Sequence, residues 1–271
     1  MEQSIDQILP GLGFSSLIDF LLGFLLASIR LSAFFIAAPF FSAAFIMIRV
    51  RVMIAFIVSI IVFSIQPQAI DTTALTSAYG IFVIFKEIAI GTTAGLILSI
   101  MFSAVSLAGE KMATSAGLSY AAQIDPISGV QTPIVSQILY LFLIMIFLTL
   151  DGHLTALRIL IESYNLVPIG TLPLPSALID GGMAASGSMF LNASIIMLPV
   201  VIIILLINVS IGIITRAAPQ LNLFSFGFPM TMLGAFIILY LSISNFGYSF
   251  TDLVKSSLDH LMSTIESLSN G

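Results

Sequence analysis

Apolar residues run in long blocks along this chain, and polar residues gather in the gaps between them. From Gly181 to Thr251 one ionisable residue, Arg216, separates two uncharged runs, Gly181–Thr215 and Ala217–Thr251. About 20 apolar residues cross a bilayer core as a helix, so each run is long enough to span it. The sequence Arg216-Ala217-Ala218-Pro219-Gln220-Leu221-Asn222 holds the breakers and polar groups of a hairpin turn. Earlier blocks cover Phe20–Ile48, Val52–Ile65, Ala74–Ala108 and Pro133–Leu150. Pro199 and Pro229 are expected to kink the hairpin helices. The prediction is an all-α, membrane-type protein of about six spans, with long, kinked hydrophobic helices and a C-terminal helical hairpin.

The last segment, Asp252–Gly271, reads differently. Leu253, Val254, Leu258, Leu261, Met262, Ile265 and Leu268 fall on one stripe, and Asp252, Lys255, Asp259 and Glu266 occupy the rest. That pattern predicts an amphipathic helix. Its acidic polar face suits docking onto protein better than onto a lipid surface.

Composition excludes whole classes of function. The chain is 59% hydrophobic and 8% charged, with mean hydropathy +1.17. A soluble domain carries about a quarter charged residues. No polar stretch is long enough for a separate catalytic head, so residues 1–271 read as one membrane-type domain. The net charge of −5 offers no basic face for nucleic acid. There is no cysteine, which removes thiol catalysis and Cys-based metal sites. No Lys or Arg precedes Arg30, so the first apolar segment is expected to be retained rather than cleaved as a signal.

No catalytic constellation emerges, and neither a cofactor nor a metal is expected. Asp151-Gly152-His153 reads as a turn at a helix end with a solvated histidine. Ionisable residues inside apolar blocks are costly and face protein or water. Arg30, Lys86 and Glu87 qualify, and structural pairing at subunit contacts is the leading reading, with a polar conduit the other. Lys86 and Glu87 are adjacent and so are expected to find partners elsewhere or a wet environment. Gly91, Gly95, Ser99 and Ser103 recur every four residues, a small-residue stripe for close helix packing.

Between two blocks lies a stretch of small residues with no sustained period. It runs Gly117, Leu118, Ser119, Tyr120, Ala121, Ala122, Gln123, Ile124, Asp125, Pro126 and on to Gly129. Irregular backbone at membrane depth is tolerated only where protein or water covers it. The residues alone favour an ordinary connection over a plug folded into a pore. A secondary transporter would also suit Pro-interrupted spans and buried charges, although no inverted repeat is visible.

Several stretches, taken together, resemble one family. They are Gly109-Glu110-Lys111 leading to Gly117-x-Ser119-Tyr120-Ala121-x-x-Ile124-Asp125-Pro126, then Asp151-Gly152-His153, then Arg216-Ala217-Ala218-Pro219-Gln220-Leu221-Asn222 with Phe224-Ser225-x-Gly227-x-Pro229. Their order and spacing over residues 15–250 are similar to the FliR/SctT family of type III secretion export-gate subunits. The resemblance implies a bacterial inner-membrane protein of the flagellar basal body, its assembled gate held largely above the bilayer plane inside the basal-body ring. It implies FliP-type, FliQ-type and FlhB-type partners, and a closed channel that passes unfolded flagellar proteins. It also implies a FliP-like part over 1–167, a FliQ-like hairpin over 176–251, and a plug at Gly117–Gly129 in place of the ordinary connection. It is silent on the acidic tail, 252–271.

Overall fold

The computed structural model describes residues 14–40, 47–65, 78–118, 133–169, 175–218 and 226–269. Among them are eight helices: α1 (Phe14–Ala37), α2 (Ile48–Ile65), α3 (Ala78–Ser115), α4 (Ile134–Thr149), α5 (Gly152–Leu166), α6 (Pro175–Ala217), α7 (Phe228–Leu241) and α8 (Ile243–Ser269). No strand occurs among the described residues, and the fold is all-α as expected.

The helix boundaries follow local chemistry. Helix α1 stops at Ala37 rather than running to Ile48, and Ala38 closes it with N–H donating to Phe34 O at 2.8 Å. Pro39 follows, and a proline disfavours helical backbone in the residue before it. Helix α3 continues past Ala108 to Ser115, through Gly109, because no proline intervenes before Gly117. Helix α6 begins at Pro175, where a proline's missing N–H costs nothing, and Pro199 lies inside it.

Pro229 differs from expectation. It occupies the first turn of α7, where it starts a helix instead of kinking one. The predicted run Ala217–Thr251 is instead broken at Ser242, with a 59° bend between α7 and α8. The other break falls at Asp151, whose φ of 53° lies in the left-handed region.

Among the described residues, α3 and α6 are each long and apolar enough to cross a membrane alone, and the pairs α4–α5 and α7–α8 reach that length together. Among the described residues, single-helix spans are thus fewer than the six blocks suggest. At about 1.5 Å per residue, the 43 residues of α6 extend about 65 Å. A bilayer core is only about 30 Å thick.

The chain forms two compact units. The first takes in residues up to Ser99, His153–Ala185 and Ser257–Gly271. Helix α1 packs on α2, with the Phe24 and Phe56 rings edge to face at 4.5 Å. Ile90, Val167 and Leu268 form a buried cluster against Leu166, Ala177 and Leu178. The second unit takes in Ile100–Gly152 and Ser186–Ser256. There Phe102 meets Phe147 at 5.1 Å and Phe142 meets Phe250 at 5.6 Å. Gly109 lets α4 approach: a Cβ on it would lie 2.6 Å from Ser136 Cα.

The tail helix buries its own stripe. Leu253, Val254, Leu261, Ile265 and Leu268 are covered by the chain itself, and Asp252, Lys255, Asp259 and Glu266 are exposed. The docking surface predicted for this helix is therefore supplied within the chain, at least for its apolar side.

Candidate functional site

Three of the four charges singled out by the sequence meet in the first unit. Arg30 from α1 and Glu87 from α3 pair in two-pronged fashion, Nε to Oε2 at 2.6 Å and Nη2 to Oε1 at 3.1 Å. Both side chains are wholly buried. The guanidinium also donates to Ser163 Oγ at 3.0 Å and to Val167 O at 2.9 Å, and it lies 4.2 Å above the centre of the Tyr164 ring. A guanidinium has five N–H donors in a fixed fork, and this pocket meets that fork from three directions. Tyr164 is held in turn by its hydroxyl, which donates to Ala27 O at 2.7 Å.

Lys86 completes the cluster. Its Nζ lies 3.0 Å from Glu87 Oε1 and donates to Pro168 O at 2.9 Å. Neighbours on a helix do not normally face each other, so this contact differs from the sequence expectation; the long lysine stem lets Nζ fold back to the shared carboxylate. Two cations thus face one carboxylate. The balance is met by the carbonyls just past α5, Val167 O and Pro168 O, where a helix carries about half a negative charge. The cluster therefore fastens the C-terminal end of α5 to α1 and α3. All of these partners are supplied by this chain.

Directly along α3, the small-residue stripe meets α1. A Cβ on Gly91 would collide with Arg30 O, and one on Gly95 would lie 2.8 Å from Ala38 N. Ser99 Oγ donates to Ala37 O at 2.6 Å. Ser103, one turn on, is exposed. Arg216 stands apart from the cluster, exposed in the last turn of α6, where a cation favours the helix dipole. His153 is half-buried, its ring 6.4 Å from that of Phe40, rather than solvated as expected.

In the second unit, Gly117 ends α3. Its φ is 79°, and Leu118 N–H donates to Ala113 O at 3.0 Å while Gly117 N–H donates to Thr114 O at 3.0 Å. This is the Schellman arrangement, in which glycine takes the left-handed position without a Cβ penalty. Gly117 and Leu118 are therefore a helix stop. Ser119 to Gly129, the remainder of the expected plug, lie outside the described residues. A cavity of about 850 Å³ opens between Ala113, Leu118, α4 and α7–α8, with an almost wholly apolar lining. Among the described residues no three His, Asp or Glu side chains gather as a metal would need.

Residues 21–257 match the family model described as bacterial export proteins, family 1. The chain belongs to that family. It is 33% identical over 204 residues to the flagellar biosynthetic protein FliR of Pectobacterium carotovorum subsp. carotovorum, covering 75% of this chain and 77% of that protein. It is 31% identical over 233 residues to the FliR of Buchnera aphidicola subsp. Baizongia pistaciae, covering 86% and 90%. It is also 28% identical over 220 residues to the surface presentation of antigens protein SpaR of Shigella flexneri, covering 81% and 84%.

For this member of the export-protein family, sequence reasoning found the charges but missed their hosts. Ser163, Tyr164 and the carbonyls of Val167 and Pro168 carry no charge and so gave no signal. Asn208 was also missed. It is the one polar residue between Ile195 and Val209, and it donates to Ser115 O at 3.1 Å. An amide isolated in an apolar stretch is a sign of a specific partner, and that signal was available.

Proposed function

We propose that this chain is a non-enzymatic subunit of a flagellar-type III export gate, assembled with FliP-type and FliQ-type subunits around a closed channel, with an FlhB-type subunit alongside. The observation that carries the reading is the family match over residues 21–257, together with flagellar relatives aligned over most of their length. The passengers are unfolded flagellar proteins leaving the cytoplasm, and the site is the bacterial inner membrane at the flagellar base.

The physical chemistry of the helices supports a shared assembly. Leu191, Ile195, Leu198, Ile202, Leu205 and Leu206 on α6 are exposed, as are Met53, Phe56, Ile57, Ile60 and Ile61 on α2. A helix of about 65 Å exceeds a core of about 30 Å, so lipid alone would leave apolar surface in water. Sister subunits around a common lumen would cover it. Gly117–Gly129 is the plug in this reading, with Gly117 as its fixed stem. Arg30, Lys86 and Glu87 are structural rather than lumen-lining, which their burial supports.

The decisive experiment is the intact mass of the detergent-solubilised complex, obtained by co-expressing this chain with its FliP-type and FliQ-type partners. A defined heteromer is expected. A well-behaved monomer that carries solutes into vesicles unaided would overturn the gate and favour a transporter. Within an assembled gate, deleting residues 119–129 should raise the ion permeability of the inner membrane, and unchanged permeability would remove the plug.

A further inference from the structure

The last four carbonyls of an α-helix have no partner inside it and must be met from outside or by a tightened turn. At the end of α3 they are satisfied one by one. Met112 O accepts from Ala116 N–H, Ala113 O from Leu118 N–H and Thr114 O from Gly117 N–H, each at 3.0 Å. The fourth, Ser115 O, accepts from Asn208 Nδ2 of α6 at 3.1 Å. Three of these bonds are local to α3 and its cap, and one comes from the hairpin.

Asn208 is itself held. Its Oδ1 accepts from the Thr231 hydroxyl of α7 at 3.0 Å. That bond turns the amide so that its N–H donors face Ser115. The same hydroxyl lies 3.0 Å from Gly227 O, so its single hydrogen is shared between two acceptors. All three helices contribute one polar group to a chain of bonds that runs from buried Thr231 to exposed Asn208. Gly234 on α7 lets the hairpin close beside it, since a Cβ there would lie 2.6 Å from Ile207 Cδ1.

We propose that Asn208 and Thr231 form a polar latch by which the hairpin α6–α7 holds the C-terminal end of α3. A hydrogen bond at this length lapses once its atoms separate by roughly another 0.5 Å or lose alignment. A small slide of α6 against α3 is therefore enough to release Ser115. The Asn208–Ser115 bond is exposed on this chain whereas Thr231 is buried, so the amide stays anchored on the α7 side and parts from Ser115 when α6 slides. Its use in export rests on the function proposed above, because only there do neighbouring subunits push on the hairpin; the latch itself does not.

The test is hydrogen exchange followed by mass spectrometry on the full chain within its detergent-solubilised complex. Asn208→Leu keeps the volume and removes the amide, Thr231→Val removes the hydroxyl, and Thr231→Ser keeps it. Loss of the Asn208 bond should speed exchange of the Ala116–Leu118 amides about fivefold, with a smaller increase in Thr231→Val and wild-type exchange in Thr231→Ser. Peptides of α1 and α5 should not change. Wild-type exchange at 116–118 in Asn208→Leu would overturn the latch. Should that variant fail to assemble, Thr231→Val decides alone, in the same way. A wild-type chain that purifies without partners would count against the gate, and the same comparison on that monomer would still decide the latch.

Discussion

Arg30 and Glu87, 57 positions apart, meet as a bidentate ion pair with no exposed surface on either side chain. The pair joins α1 to α3 and, through Val167 O and Ser163, fastens both to the end of α5. A buried ion pair is weak evidence for stability when compared with an apolar replacement. Breaking one partner is another matter.

Glu87→Gln should therefore be severe. It leaves Arg30 and Lys86 as two buried cations with no carboxylate, at a cost of about 3–5 kcal/mol. Lys86→Met should cost much less, because it removes a cation instead of stranding one. Arg30→Lys should fall between, since an ammonium cannot reproduce the two-pronged geometry. Chemical or thermal unfolding of the solubilised protein, with accumulation in the membrane as a second readout, would rank the three. An unaffected Glu87→Gln protein would show that the cluster does not hold the fold.

The small-residue stripe gives a contrast within one residue type. Gly91→Ala and Gly95→Ala each place a methyl group against the backbone of α1, which has no flexible side chain to yield. Overpacking of this kind costs about 1–3 kcal/mol. Gly187→Ala, in the exposed middle of α6 with nothing within 4 Å of the added methyl, should instead stabilise by about 1 kcal/mol through helix propensity. Unfolding midpoints of the three variants check the sign of each.

How far residues announce this structure depends on the kind of signal they leave. Helix existence was legible because apolar blocks are long, but the boundaries were not: the blocks ran through Pro39 and fell short of Gly117 and Pro175, where α1 and α3 stop and α6 starts. Arg30, Lys86 and Glu87 stood out because a charge in an apolar block is costly. The break at Ser242 was not legible: neither glycine nor proline stands there, and the bend shows only in tertiary packing. Nor was the destination of the Arg30 fork, since Val167 O and Pro168 O are backbone atoms that every residue possesses. The tail's amphipathic stripe was plain, but a pattern of faces does not say which surface covers it.

That stripe makes its own prediction. Leu261 is fully buried and Asp259, two residues earlier on α8, is exposed. Leu261→Ala should destabilise by about 2–5 kcal/mol through lost burial and a residual cavity. Asp259→Asn should stay within about 0.5 kcal/mol. If Asp259→Asn leaves unfolding unchanged yet weakens copurification of a neighbouring subunit, the acidic face is the part of this helix that meets a partner. Equal effects of both variants on unfolding would contradict the burial pattern.

Gly117 separates the helix stop from whatever follows it. An L-residue with a Cβ at φ near 79° pays roughly 1–2 kcal/mol, so Gly117→Ala should loosen the cap of α3 by about that amount. Gly117→Asn should recover much of it, because asparagine visits the left-handed region more readily. The damage should be local. Exchange of the Gly117 and Leu118 amides, which close the Schellman bonds to Thr114 and Ala113, should rise in Gly117→Ala and fall back in Gly117→Asn. Amides of α1 should be unaffected in both. A Gly117→Ala protein with a fully protected cap would mean that α3 ends in some other way, and the positive φ would lose its explanation.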